Sequence, residues 1–146
     1  MVKSTLDKQV SSRLGQDDVR YTAGRREVVF ALSEADGPRS AAELSEDLGP
    51  SVPLSSLYRT LAVLEASDIL TPHFSSPGVT RYELAEWLNG HHHHLVCVAC
   101  GQVEDVETDD EVEQRLQAIV SDITGRSSFI ESNHALEIEG KCQNCQ

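Results

Sequence analysis

The sequence predicts an α+β fold in two parts, residues 1–84 and 91–146, with residues 85–90 between them as a hinge. Two observations carry this. Apolar residues recur at helical spacing up to about residue 64 and then give way to short β-like runs. Most of the net negative charge and all of the cysteine lie in the second part: residues 1–81 hold nine Lys/Arg against eleven Asp/Glu, and residues 82–146 hold three against thirteen.

In the first part, Val28, Val29, Ala31 and Leu32 stripe a helix over Arg25 to Ala35, which Gly37-Pro38 stops. Ser40-Ala41-Ala42-Glu43 has the spacing of a capping box and opens a short helix ending near Leu48-Gly49. Pro50 and Pro53 punctuate the next turn. Leu54, Leu57, Leu61 and Leu64 then mark a third helix, with Ser55, Ser56, Tyr58, Arg59 and Thr60 on its other faces. Ile69–Phe74 and Val79–Leu84 are a hairpin around Ser75-Ser76-Pro77-Gly78. Three helices and a hairpin are the order of a winged helix-turn-helix. Its third helix would enter a DNA major groove, offering hydroxyls and a guanidinium. The ordinary alternative is a helical subdomain with a solvated polar face. Net charge is -12, which disfavours non-specific DNA, yet Lys3, Lys8, Arg13, Arg20, Arg25 and Arg26 make the N-terminus locally basic.

The second part reads as three strands and one helix. The strands are His91–Val98, Gln102–Val106 and Phe129–Glu139. Val112, Leu116, Ile119, Val120 and Ile123 stripe a helix over Asp109 to Thr124. No apolar run spans a bilayer and no leader precedes the first helix, so a soluble cytoplasmic protein without a membrane partner is expected.

The four cysteines are two C-x-x-C hooks, Cys97/Cys100 and Cys142/Cys145. Two such hooks complete one tetrahedral zinc site, and four thiolates leave no open position, so that zinc is structural. His91, His92, His93 and His94 precede the first hook. Side chains alternate along a strand, so His91 and His93 point one way and His92 and His94 the other. One run can therefore serve two metals. Glu83, Asp105, Glu113 and His134 are candidates to complete them, although Asp105 and Glu113 also sit among many solvated acids. No phosphate loop, nucleophile elbow, H-E-x-x-H or zinc-deaminase pattern occurs, which argues against an enzyme.

Together these features resemble the ferric uptake regulator family (Fur). The motifs are H-H-x-H-x-x-C-x-x-C, the terminal C-x-x-C, Leu57-Tyr58-Arg59-Thr60-Leu61, and Asn133-His134-Ala135-Leu136-Glu137-Ile138-Glu139-Gly140-Lys141-Cys142. The form His91-His92-His93-His94-Leu95-Val96-Cys97 is most similar to its zinc-sensing branch (Zur). The resemblance implies a homodimer, paired through the C-terminal domain, that binds palindromic operator DNA when metal-loaded and represses metal-homeostasis genes. It implies structural zinc at Cys97, Cys100, Cys142 and Cys145. It implies a regulatory site at His92, His94, Glu83 and Asp105, and a second site at His91, His93, Glu113 and His134. DNA contacts are expected from Ser55, Ser56, Tyr58, Arg59, Thr60 and Arg25.

Three departures from the family pattern stand out. Arg39 lies near where many members place a ligand histidine, and residues 79–90 lack the cysteine common in the zinc-sensing branch. His73 is the substitute at hand. The entry to the first core helix reads Thr22-Ala23-Gly24-Arg25 where the family has Thr-Pro-Gln-Arg. The regulatory metal is Zn²⁺ or Fe²⁺, with zinc favoured by the histidine run. Alternatives are a peroxide sensor of the same family, in which iron promotes oxidation of a ligand histidine, and a zinc storage or delivery protein that binds no DNA.

Overall fold

A computed structural model describes residues 2–76 and 78–146, apart from the side chains of Ser75 and Ser76. Pro77 of the expected wing turn lies outside the described residues. The chain divides into two compact units, Met1–His91 and His92–Gln146. Among the described residues no helix is long and apolar enough to cross a membrane.

The first unit opens with a helix that the apolar stripes read above do not include, α1 (Lys3–Gln16). Leu6, Val10 and Leu14 recur every fourth residue on one face and are fully buried. Burial on this scale contributes about 1.5–3 kcal/mol per side chain. Next comes α2 (Ala23–Ser33), capped by the Thr22 hydroxyl, which accepts from the backbone of Arg25. It starts two residues earlier than its apolar stripe requires.

A two-residue strand, β1 (Arg39–Ser40), leads into α3 (Ala41–Leu48). Ser40 and Glu43 close the expected capping box in both directions, at 2.8 and 3.2 Å. The same Glu43 carboxylate accepts from Arg81 Nη1 at 2.6 Å, tying α3 to the hairpin. Burial raises the Glu43 pKa, but the Ser40 backbone N–H and the Arg81 guanidinium outweigh it and leave the carboxyl below its ordinary value. A single 3-10 turn, Gly49–Ser51, separates α3 from α4 (Leu54–Ala66).

The strands β2 (Leu70–Ser76) and β3 (Val79–Leu84) pair antiparallel, and β1 joins the far side of β3. Residues 85–90, read as a connection, contain a helical turn, α5 (Glu86–Asn89), whose Leu88 is buried in the core of this unit. That core gathers Leu6, Val28, Leu44, Leu57 and Leu64 from α1 through α4 and Ile69 from just before β2.

The second unit is a three-stranded sheet in the order β5-β4-β6. Central β4 (His93–Cys97) runs antiparallel to β5 (Val103–Val106) and parallel to β6 (Glu137–Gly140). Between β5 and β6 lies α6 (Asp110–Thr124), capped by Asp109, which accepts from Val112 N at 2.8 Å. No α6 residue is buried in the single chain.

The third strand is shorter than the expected Phe129–Glu139. Residues 129–136 are irregular because their polar groups bond locally. Asn133 Oδ1 accepts from the backbone of His134, and Glu131 accepts from Ser121 and Thr124 of α6 at 3.1 and 3.0 Å. Its own backbone N–H and these two hydroxyls hold the Glu131 carboxyl below its usual range.

Candidate metal centres and nucleic-acid helix

Tight turns at the two hooks bring their thiols together. Cys97 ends β4, and Gly101, at φ 76°, takes the left-handed turn that closes the first hook; its N–H donates to Cys97 O at 2.8 Å. Cys142 follows β6 and Cys145 ends a 3-10 turn. The parallel β4–β6 pairing sets Cys97 opposite Gly140, so both hooks emerge at one end of the sheet. All four sulfurs lie within 4.8 Å of one another, and Cys100 Sγ is 3.8 Å from Cys142 Sγ. A tetrahedron with Zn–S bonds of ~2.3 Å has edges of ~3.8 Å.

The ionisation of these thiols fits a cation. Backbone N–H groups of Cys142 and Cys100 lower Cys97 to about 6. Hydrogen bonding with Cys142, then with Cys100 and Cys97, pushes Cys145 up to about 12. Cys97 carries negative charge readily, whereas Cys142 and Cys145 resist losing their protons unless a metal neutralises the cluster.

Two clusters of imidazoles and carboxylates flank β4. On one face His92 Nε2 and His94 Nε2 lie 3.5 and 3.4 Å from Asp105 Oδ1, brought opposite His94 by the β4–β5 register. The two rings meet edge to face, with centroids 4.9 Å apart. Asp105 Oδ1 is buried and accepts no hydrogen bond among the described residues. A buried carboxylate oxygen facing two imidazole nitrogens suits a divalent cation.

On the other face His93 is 1% exposed, and its Nε2 is 2.9 Å from Glu113 Oε2. His134 Nε2 lies 2.9 Å from Glu113 Oε1, and its ring centroid is 5.6 Å from that of His93. The strand expected over Phe129–Glu139 does not place His134, since it precedes β6. Glu131 does so instead, fastening the irregular segment to α6.

Glu83 and His91 belong to the first unit. Glu83 is buried on β3, its Oε1 2.6 Å from His73 Nε2 on β2. His91 Nδ1 lies 2.7 Å from Glu86 Oε1 of α5. Arg39 is paired with Asp47 at 3.2 Å.

On α4, Ser55, Tyr58 and Arg59 are exposed, Ser56 is half-buried, and Arg25 is half-buried at the start of α2. Thr60 is a correction. It is buried at 8% exposure with Leu57, Leu61 and Leu64, so it lies on the core face of α4 and not on the other faces where it was expected. Positions 57, 60, 61 and 64 are one helical stripe, which assigned Thr60 from the start. Much of the basic N-terminus is already paired on its own surface: Lys3 with Glu34, Arg13 with Asp17, and Arg26 with Asp7. Exposed pairs of this kind are weak and exchange readily with phosphates.

A model described as "Ferric uptake regulator family" matches residues 16–138. The ferric uptake regulation protein of Legionella pneumophila is 34% identical over 140 residues, covering 93% of this chain and 98% of its own. That of Bacillus subtilis is 31% identical over 150 residues, covering 99% and 96%. Among solved structures, the Vibrio cholerae ferric uptake regulator superposes with a TM-score of 0.68 at 30% identity, covering 90% of this chain and 98% of that one.

Proposed function

The chain belongs to the ferric uptake regulator family, whose members are metal-responsive transcriptional regulators and not enzymes, and on that premise we propose that it is a repressor of metal-uptake genes, binding operator DNA as a metal-loaded homodimer. The observation that carries this reading is the donor set around Asp105: two imidazoles and one buried carboxylate oxygen that accepts no hydrogen bond among the described residues.

In this reading Cys97, Cys100, Cys142 and Cys145 hold a structural zinc. The regulatory metal is held by His92, His94 and Asp105, with Glu83 as the further ligand that the family pattern assigns. His73, already against Glu83, is the donor in reserve where that pattern has a histidine near Arg39. The second site takes His93, Glu113 and His134, with His91 joining them. When bound, each metal supplies a fixed positive centre that only one arrangement of these side chains satisfies, so occupancy selects a conformation. Arg59, Tyr58, Ser55 and Ser56 would then read the operator from α4, with Arg25 on the phosphates.

The homodimer is supported by α6. Its Val112, Ile119 and Ile123 are exposed, as are Leu95 and Ile138 on the sheet and Phe129 and Ile130 beyond the helix. So many exposed apolar side chains in a unit of this size call for a partner, and a second copy offers the matching face.

Zinc is the first choice for the regulatory metal, since two imidazoles and two carboxylate oxygens complete its preferred four ligands. Ferrous iron is the second reading, favoured by the relatives named for ferric uptake. Titrating chelated protein with Zn²⁺, Fe²⁺ or Mn²⁺ while following binding to the DNA upstream of metal-uptake genes separates them. The metal that restores binding at the lowest free concentration is the one sensed. Binding that no metal alters refutes the function.

A further inference from the structure

Glu113 is the hub of the second imidazole cluster, yet it is a flexible side chain in the first turn of a helix that buries none of its residues. Holding one rotamer of such a side chain costs entropy that each metal-binding event must meet. A neighbour outside the proposed ligand set holds it beforehand. Thr108 Oγ1 donates to Glu113 Oε2 at 2.9 Å. Thr108 is half-buried in the β5–α6 connection, immediately before Asp109, whose carboxylate caps α6 through Val112 N. The hydroxyl is therefore fixed at both ends: by the strand before it and by the cap after it.

We propose that Thr108 is a positioning residue for the second metal site, holding the Glu113 carboxylate toward His93 and His134 so that one chosen oxygen meets the metal. This rests on the reading of His93, Glu113 and His134 as ligands. The hydrogen bond occupies a lone pair of Oε2 and withdraws charge from it. Ligation through the other oxygen is thereby favoured over ligation through both, which lowers the coordination number the site offers. The fewer oxygens Glu113 supplies, the closer the site comes to the four ligands that zinc accepts and that iron or manganese does not prefer. Partners of this kind outside the ligand set are worth about 10–100-fold in metal affinity.

The test uses full-length protein with its cysteine zinc in place and His94→Ala to silence the other cluster. Co²⁺ titration reports coordination through its visible absorption, and Zn²⁺ affinity is read by competition with a chromophoric chelator. Thr108→Val removes the donor at nearly constant shape. It is expected to weaken Zn²⁺ by about 10-fold or more and to shift the Co²⁺ spectrum from intense four-coordinate bands to weak higher-coordinate ones. Thr108→Ser, which keeps the hydroxyl, is expected to restore both. The thermal midpoint of the protein holding only its cysteine zinc should be nearly the same for all three. A Thr108→Val protein that matches its parent in affinity and spectrum overturns the proposal. So does a Thr108→Ser protein as impaired as Thr108→Val, which would trace the effect to packing. A parent that takes up no Co²⁺ beyond the cysteine site overturns the second-site reading itself.

Discussion

His93 Nε2 and Glu113 Oε2 stand 2.9 Å apart, joining a fully buried ring on β4 to a helix that buries none of its own residues. The second unit is therefore held together through polar side chains as much as through apolar packing. Its apolar interior among the described residues is small: Val96, Cys97 and Val103 are the hydrophobic side chains buried there. A core of that size needs staples.

His93→Ala should consequently destabilise this unit while sparing the first. Removing the ring leaves a cavity and strips Glu113 of a partner, at a cost of about 2–4 kcal/mol. Hydrogen exchange should show faster opening of β4, β5 and α6 and unchanged protection in α1, α2 and α4. Uniform loss of protection would contradict the division of labour.

Cys100→Ser should remove one tightly held zinc per chain. Metal analysis of the purified protein should fall by one equivalent, and the hooks should become accessible to alkylation. The metal-replete parent should expose none of its four thiols quickly. Once chelated, it should react first at Cys100, the exposed thiol of the four, and more slowly at buried Cys97. Four reactive thiols before chelation would refute a closed site.

How much of this was legible in the chain differs from residue to residue. The hooks follow from spacing and the opposite facing of His93 and His94 from strand alternation, because both are local, whereas His91 and His92 precede β4. The register that sets Asp105 opposite His94 is not local, and neither is the Glu131 clasp that positions His134 without a strand. Helix α1 escaped because Leu6, Val10 and Leu14 are thinly spread among polar residues, although their four-residue spacing was a usable signal. Thr60 was misplaced for the opposite reason. A hydroxyl reads as polar, but the stripe it completes decides where it points.

Ile119→Glu should convert the protein to a monomer. Ile119 is 56% exposed at the centre of the apolar α6 face, and a charge there would have to be desolvated in a symmetric contact twice over. Sedimentation should show the loss of dimer, with unchanged zinc content. A variant still dimeric at micromolar concentration would place the interface elsewhere.

Tyr21→Phe should flatten the alkaline limb of the stability curve. Burial, helped by the Asp7 carboxylate, pushes the Tyr21 hydroxyl up to about 12 from 10.0. Above pH 10 the unfolded chain loses this proton and the folded chain keeps it, so stability is intact below that pH and declines as pH rises toward 12. The decline should be on the order of 1 kcal/mol once solvent screening of a half-buried group is allowed for. Denaturant unfolding at pH 8 and pH 11 measures it; equal declines in parent and variant would assign the effect to another group.

The measurement closest to the central claim compares operator affinity with and without metal, in the parent protein and in His94→Ala. If metal at His92, His94 and Asp105 governs DNA binding, chelated parent should bind its operator weakly and regain affinity by at least tenfold on adding Zn²⁺ or Fe²⁺. His94→Ala should stay weak at the same metal concentration while keeping its cysteine zinc and its dimer. A parent whose affinity ignores metal, or a His94→Ala protein that responds as the parent does, would contradict the account.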